Sequence, residues 1–394
     1  MNPSISRVVR LHGGQLDPRS LLKHCQTKLP EMLRCLQEAV EIESPSGSKA
    51  NVDRMAAFFA SEFKRYAGSV EVLPHPSAGA AVCAEFWGGI RGQRPVLLLG
   101  HHDTVWDLGT ISTMPFRVRN GRAYGPGVLD MKSGLVCGLW AIRALQALGV
   151  EPRSPVHFFL NPDEEVSSVA FRDTIEAEAK RARAVLVLEP AAAGGALKTE
   201  RKGVGEFQIT VQGRSAHAGT NPGAGVNAVS ELARQILRIE KLARPGQGLT
   251  LNVGVIHGGT RSNVIPERAS AAVDVRVSRR GDGELLERKL HSLKPINSGA
   301  RLEIRGGVNR PVMERAQAAN LFRQARELGR QLGMKLDQAS TGGGSDGNFT
   351  AALGIPTLDG LGAVGEGAHA RHEHILIREL PRRVALLAAL LAEV

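Results

Sequence analysis

At 394 residues, 42% of them hydrophobic and 23% charged, the chain has a globular composition and enough length for two domains with separate cores. Its net charge of +11 suits anionic partners, but the 50 basic residues are scattered, only 4% of residues are aromatic and no nucleic-acid-binding motif occurs, so a small anionic substrate is preferred to nucleic acid. No run approaches the ~20 apolar residues of a membrane span, the opening MNPSISRVVRLHGGQLDPRS lacks the apolar centre of a signal peptide, and Cys25, Cys35, Cys83 and Cys137 lie singly. The expectation is a cytoplasmic protein with no membrane partner and with buried, reduced thiols.

Taken in chain order, residues 21–42 and 51–66 read as amphipathic helices. The runs PVLLLG, VHFFLN and AVLVLE are apolar on both faces, as central strands of a covered sheet are, and Ser133 to Leu148 between them reads as a buried helix. Near Lys202 the pattern changes. GEFQITVQG alternates like a strand with one wet face, NAVSELARQILRIEKLA is helical, TLNVGVIHGG and ASAAVDVRVS are strands, GELLERKLHSL is helical and RLEIRGG is a last strand. That β-α-β-β-α-β order predicts an inserted ferredoxin-like α+β domain over 202–310. The first domain is then discontinuous, 1–201 with 311–394, an α/β domain whose central twisted, mostly parallel sheet is flanked by helices. After Pro311 come helix, turn and short strand, the glycine-rich TGGGSDG and a closing helix.

Three of the central runs lead into acidic or imidazole side chains: His101-His102-Asp103, Asp163-Glu164-Glu165 and Glu189. The carboxyl ends of strands form the ligand crevice of an open α/β sheet. Carboxylates crowded there repel one another unless a cation sits among them, so a metal is implied. Histidine with carboxylate and no cysteine suits zinc, with manganese or cobalt as substitutes. Strand alternation puts His101 and Asp103 on one face and His102 on the other. Asp130, in YGPGVLDMKSG, follows a glycine-rich turn and precedes a helix, where an ordinary helix N-cap is the alternative. In HARHEH any of His369, His372 and His374 could ligate.

In order along the chain, His101-x-Asp103, GPGVLDMKSG with Asp130, Asp163-Glu164-Glu165, the strand-ending Glu189 and GEGAHARHE with His369 resemble the signature of the co-catalytic di-zinc metallopeptidases of the glutamate carboxypeptidase, or carboxypeptidase G, type. The resemblance runs from the strand before His101 to the C-terminal helix, and five ordered motifs make it specific. It implies two zinc ions per subunit: Asp130 shared, His101 and Glu189 completing one site, Glu165 and His369 the other, and a cis peptide after Asp130. Glu164 becomes the general base, and Asp103 fixes His101. His369 is favoured over His372 and His374, which are expected at the surface.

The resemblance also makes 202–310 a dimerisation or lid domain. His217 in VQGRSAHAG is implied to reach the active site of the other subunit of a homodimer, where it steadies the developing oxyanion. Asn263 and Arg276 match substrate-contacting positions, Arg276 as the bidentate ligand of a C-terminal carboxylate, with a strand salt bridge as its alternative. Gly343 and Gly344 of TGGGSDG are implied to line the substrate pocket, with a flexible turn as the alternative; Asp346 by itself reads as a helix cap. The expected activity is hydrolysis of the amide bond that releases a C-terminal residue, with glutamate as the candidate, from a peptide or N-acyl conjugate with a free carboxylate; Glu189 favours this, because aminopeptidase relatives more often carry Asp there. The alternative is a deacylase of the acetylornithine deacetylase or succinyl-diaminopimelate desuccinylase type. A binding protein that had lost its chemistry would lack a ligand or the base, and none is missing.

Overall fold

A computed structural model describes residues 17–88 and 92–394. The opening segment read above for a leader lies, through residue 16, outside the described residues. Among those described, no helix is long and apolar enough to cross a membrane.

The chain divides into two compact units. The larger runs to Lys198 and resumes over Ala318–Ala339 and Ile355–Val394. Its sheet contains β1 (Ser69–Leu73), β2 (Ala81–Phe86), β3 (Val96–His101), β4 (Val156–Asn161) and β5 (Ala184–Val187), in the order β1-β2-β4-β3-β5, with Thr357–Leu358 beyond β5. β4, β3, β5 and Thr357–Leu358 run parallel, whereas β1 and β2 pair antiparallel. Every residue of β3, β4 and β5 is buried, as strands covered on both faces must be. The Ser133–Ala147 helix is buried almost all round and packs against the C-terminal helix, Leu380–Glu393.

The helix expected over 21–42 is two helices, Pro18–Thr27 and Leu29–Glu41. Pro30 is the cause: it has no N–H to give and its ring crowds the preceding turn, so it fits the start of a second helix rather than the middle of one. Asp17 caps the first, its carboxylate accepting the N–H groups of Arg19 and Ser20 at 3.3 and 3.0 Å.

The smaller unit is Thr199–Gln317 with Ser340–Gly354. Its four strands are β6 (Gly203–Gln212), β7 (Thr250–Gly258), β8 (Arg268–Val277) and β9 (Arg301–Arg310), all antiparallel, in the order β7-β8-β6-β9. With the helices Ala228–Glu240 and Arg280–His291 this is the ferredoxin-like arrangement. β6 and β8 alternate buried and exposed along their length. The buried set, including Phe207, Ile209, Val273 and Val275, packs with Leu232 and Ile239 of one helix and Leu286 and Leu290 of the other. The glycine-rich segment belongs to this unit because arginines hold it. Arg201 Nη1 donates to the carbonyls of Gly343 and Gly344 at 3.0 and 2.9 Å, and Arg310 pairs with Asp346 at 2.8 Å. Asp346 is therefore an ion-pair partner and makes no side-chain helix cap, contrary to expectation.

The four cysteines are free, and burial pushes each thiol up to about 12. Since only the thiolate reacts, iodoacetamide at pH 8 should leave all four unlabelled in the native protein and label all four in urea, as read by mass spectrometry. Rapid labelling of native Cys25 or Cys137 would contradict their burial.

Candidate metal centre

β3 carries His101 to the end of the sheet and leaves its ring 1% exposed. Nδ1 faces Asp103, 3.0 Å from the backbone carbonyl and 3.3 Å from the carboxylate. Nε2 faces the other way, 3.3 Å from Asp130 and 3.6 Å from Glu189. Asp103 is fully buried and holds more than the histidine: its carboxylate accepts the N–H groups of Glu164 and Glu165, each at 3.1 Å, and the Ser46 hydroxyl at 2.7 Å. One side chain thus sets His101 and the turn bearing both glutamates.

Asp130 does not cap the following helix, which starts at Ser133. The Asp130–Met131 peptide is cis, as the resemblance implied. Its two carboxylate oxygens face different histidines, His101 at 3.3 Å and His369 at 3.4 Å. His369 lies in addition 3.3 Å from Glu165, and holds a left-handed backbone conformation (φ 61°) uncommon outside glycine. The other oxygen of Glu165 is buried without a hydrogen-bond partner. Glu189 is 7% exposed, with the Lys198 ammonium 4.0 Å from its carboxylate.

These separations fit shared metal ligation. Two atoms bound 2.0–2.2 Å from one tetrahedral zinc stand about 3.3–3.6 Å apart, and the His101, Asp130, Glu189, Glu165 and His369 contacts are 3.3–3.6 Å. By distance alone Glu164 is also close: its carboxylate groups with His101 and Glu189 as Glu165 does with His101 and Asp130. Without a metal the cluster is held by protons on its histidines. Burial opposes charge on Asp130, but hydrogen bonds from His101 and His369 outweigh it and keep the carboxyl well below its usual range. Hydrogen bonds to Asp130 and Glu165 push His369 up to about 10. His101 is also raised well above 6.5, burial being outweighed by Asp103 and Asp130.

His102 is fully buried, and burial takes its ring down to about 4, so it is neutral. Of the three candidates in HARHEH, His369 joins the cluster and His372 is exposed. His374, expected at the surface, is instead buried against the Tyr124 ring, because Ile375 and His374 form a strand paired with Ala123 and Tyr124.

The remaining candidates are in the smaller unit. His217 is exposed on a two-residue ribbon opposite Val264, and its Nδ1 accepts the N–H groups of Gly219 and Thr220 at 3.1 Å each, which leaves Nε2 as the donor of a neutral ring. The same ribbon brings Asn263 beside it, through the Ala218 N–H donated to the Asn263 carbonyl. Arg276 makes the strand salt bridge named as its alternative, a bidentate pair with Asp274 at 2.8 and 3.0 Å, and also donates to the Gly342 carbonyl at 3.2 Å.

Sequence reasoning passed over Glu373. It is fully buried, and its carboxylate accepts four N–H groups from the segments carrying Asp130 and Trp106. The signal was present, since the residue sits inside the GEGAHARHE run, where only the histidines were weighed.

Residues 97–393 match the family model described as peptidase family M20/M25/M40. The chain belongs to that family. It is 31% identical over 377 residues to carboxypeptidase G2 of Pseudomonas sp. (strain RS-16), covering 92% of this chain and 89% of that protein. Against succinyl-diaminopimelate desuccinylase of Leptothrix cholodnii the identity is 29% over 338 residues, 79% of this chain and 86% of the relative. Its fold superposes on an M20 family metallo-carboxypeptidase from Sulfolobus solfataricus with a TM-score of 0.76 at 19% identity, covering 92% of this chain and 98% of that one. The M20 chain is thus a metal-dependent hydrolase.

Loading the centre must displace the protons that hold it. At pH 8 calorimetric titration of the metal-free protein with Zn2+, repeated in buffers of different ionisation enthalpy, should report release of at least one proton per metal pair, that of His369. Binding without proton release would contradict the protonated cluster.

Proposed function

We propose that this chain is a di-zinc metallocarboxypeptidase that hydrolyses the amide bond before a C-terminal amino acid of a peptide or N-acyl conjugate, glutamate being the leading candidate. The observation that carries the reading is Asp130, whose two oxygens each face a different histidine. That divides the cluster into a site of His101 and Glu189 and a site of Glu165 and His369, with Asp130 common to both. When bound, the two ions acidify a water and polarise the scissile carbonyl. Manganese or cobalt suits the same donors.

The chain's own residues do the rest. Glu164 takes the proton from that water and gives it to the leaving amine, its backbone held by Asp103. His217 donates from Nε2 to the developing oxyanion across a homodimer, its ring pinned by two backbone N–H groups. Arg276 and Asn263 bind the substrate's terminal carboxylate, and Gly343 and Gly344 line its pocket. The guanidinium pairs with Asp274 at a half-exposed site, where a substrate carboxylate can compete for it. The larger unit is the catalytic domain and the smaller the dimerisation or lid domain. Among the described residues nothing pairs with the outer edge of β7, which exposes Val255 and Ile256, and this supports self-association. Four unpaired thiols suit a cytoplasmic enzyme. Kinship with carboxypeptidase G2 supports the carboxypeptidase reading, and that with succinyl-diaminopimelate desuccinylase favours a deacylase as the second.

The deciding assay offers N-acyl-glutamates and other N-acyl amino acids beside acetylornithine and N-succinyl-diaminopimelate. Turnover confined to the last two would replace the carboxypeptidase by the deacylase. Glu164→Ala should keep both metals, as measured by elemental analysis, while turnover drops by roughly 10²–10⁴-fold, because it removes a proton carrier and no ligand. Near-normal turnover would sink that role. Arg276→Ala should raise KM about tenfold or more for substrates with a free α-carboxylate and leave carboxyl-blocked substrates unchanged. Equal effects on both would mean that the residue only orders Asp274 and the Gly342 carbonyl.

A further inference from the structure

Glu373 is a carboxylate with no exposed surface, a costly group to bury unless every lone pair is used. Its partners account for it. Oε1 accepts the N–H groups of Leu129 and Asp130 at 2.8 and 3.0 Å, and Oε2 accepts the Gly127 N–H and the Trp106 indole N–H, both at 2.9 Å. Three of the four donors lie within the turn that presents Asp130. The fourth lies just beyond the His101-x-Asp103 segment. Glu373 itself stands four residues after His369 in a loop folded back by the Ala370 N–H on the Gly367 carbonyl and the Glu373 N–H on the Ala370 carbonyl, at 2.9 and 2.8 Å.

Asp130 and His369 come from segments far apart in sequence and meet in a 3.4 Å contact between carboxylate and ring. Behind that contact the Glu373 carboxylate fastens the backbone of one to the loop of the other. We propose that Glu373 is the positioning residue of the metal centre, fixing the Asp130 turn against the His369 loop and the Trp106 segment so that the shared ligand is in place before an ion arrives. This role rests on the di-metal reading above. Glutamine cannot replace it. At equal volume an amide turns its NH2 toward two of the four N–H donors, so one pair of hydrogen bonds is lost whichever way the group is oriented.

The test uses the metal-free full chain and Zn2+ in competition with a chromophoric chelator. Wild type should bind two ions. Glu373→Gln should bind them 10–100-fold more weakly, the loss seen when the partners of metal-ligand segments are removed. Hydrogen exchange on the metal-free variant should be faster at 127–130, with other segments unchanged, a local signature that general destabilisation would not give. Glu366→Gln, exposed in the neighbouring strand, should leave both readouts at wild-type values. If wild type binds no metal, the di-metal reading fails. If wild type binds two ions and Glu373→Gln binds them equally well, that reading stands and the positioning role is overturned. Should Glu373→Gln not fold, Trp106→Phe decides, because it removes one donor and leaves the carboxylate in place: about a threefold loss of zinc affinity is expected, and unchanged affinity overturns the role.

Discussion

Asp103, Asp130, Glu165, Glu189 and Glu373 crowd carboxylates into one end of a sheet whose central strands are buried on both faces. In that setting a carboxylate is stable only where a positive group or several N–H donors meet it. The structure uses both means. Asp130 and Glu165 face the rings of His101 and His369, whereas Asp103 and Glu373 are met by backbone N–H groups. The first pair lies where a metal can replace protons. The second has no such exchange to make, and so can serve as fixed framework.

That division gives the centre a framework of backbone hydrogen bonds. Each member of the second pair joins two chain segments: Asp103 ties the end of β3 to the turn of Glu164 and Glu165, and Glu373 ties the Asp130 turn to the loop of His369. Glu189 reaches the cluster by a shorter route, two residues beyond β5 and directly adjacent to β3 in the sheet. Candidate ligands drawn from five places in the sequence are thereby set by the sheet and two buried carboxylates. An outer carboxylate that orients a ligand histidine is the arrangement expected around a metal, and Asp103 stands in that relation to His101.

Much of this was legible in the sequence because it follows from periodicity and charge. Fully apolar strands ending in acids announce a cation site, and the alternation of β6 and β8 announces a sheet with one wet face. What was missed depends on partners that no local pattern reveals. Pro30 splits a helix whose apolar spacing continues through it. His374 looks like a surface histidine until Tyr124 covers it. Asp346 reads as a cap, but Arg310, 36 residues earlier, claims it. Glu373 is the sharpest case. Its four donors are backbone and indole N–H groups, and a backbone donor leaves no mark on the residue alphabet.

The same reasoning bears on why the metal ligands say so little about the substrate. Peptidase and deacylase alike need a water, a base and a polarised carbonyl, and the larger unit supplies the residues for these in one cluster. What separates an N-acyl-glutamate from acetylornithine lies beyond the scissile bond, in the charge and length of the group carrying the amine. The residues proposed above as substrate contacts, Arg276 with its Asp274 partner and the glycine segment held by Arg201 and Arg310, are all in the smaller unit. In the proposed reading the Asp274 carboxylate already satisfies the Arg276 guanidinium, so a substrate's α-carboxylate must offer a better-placed partner; N-acyl-glutamate and acetylornithine both carry that carboxylate, and the choice between them falls to contacts with the side chain beyond it.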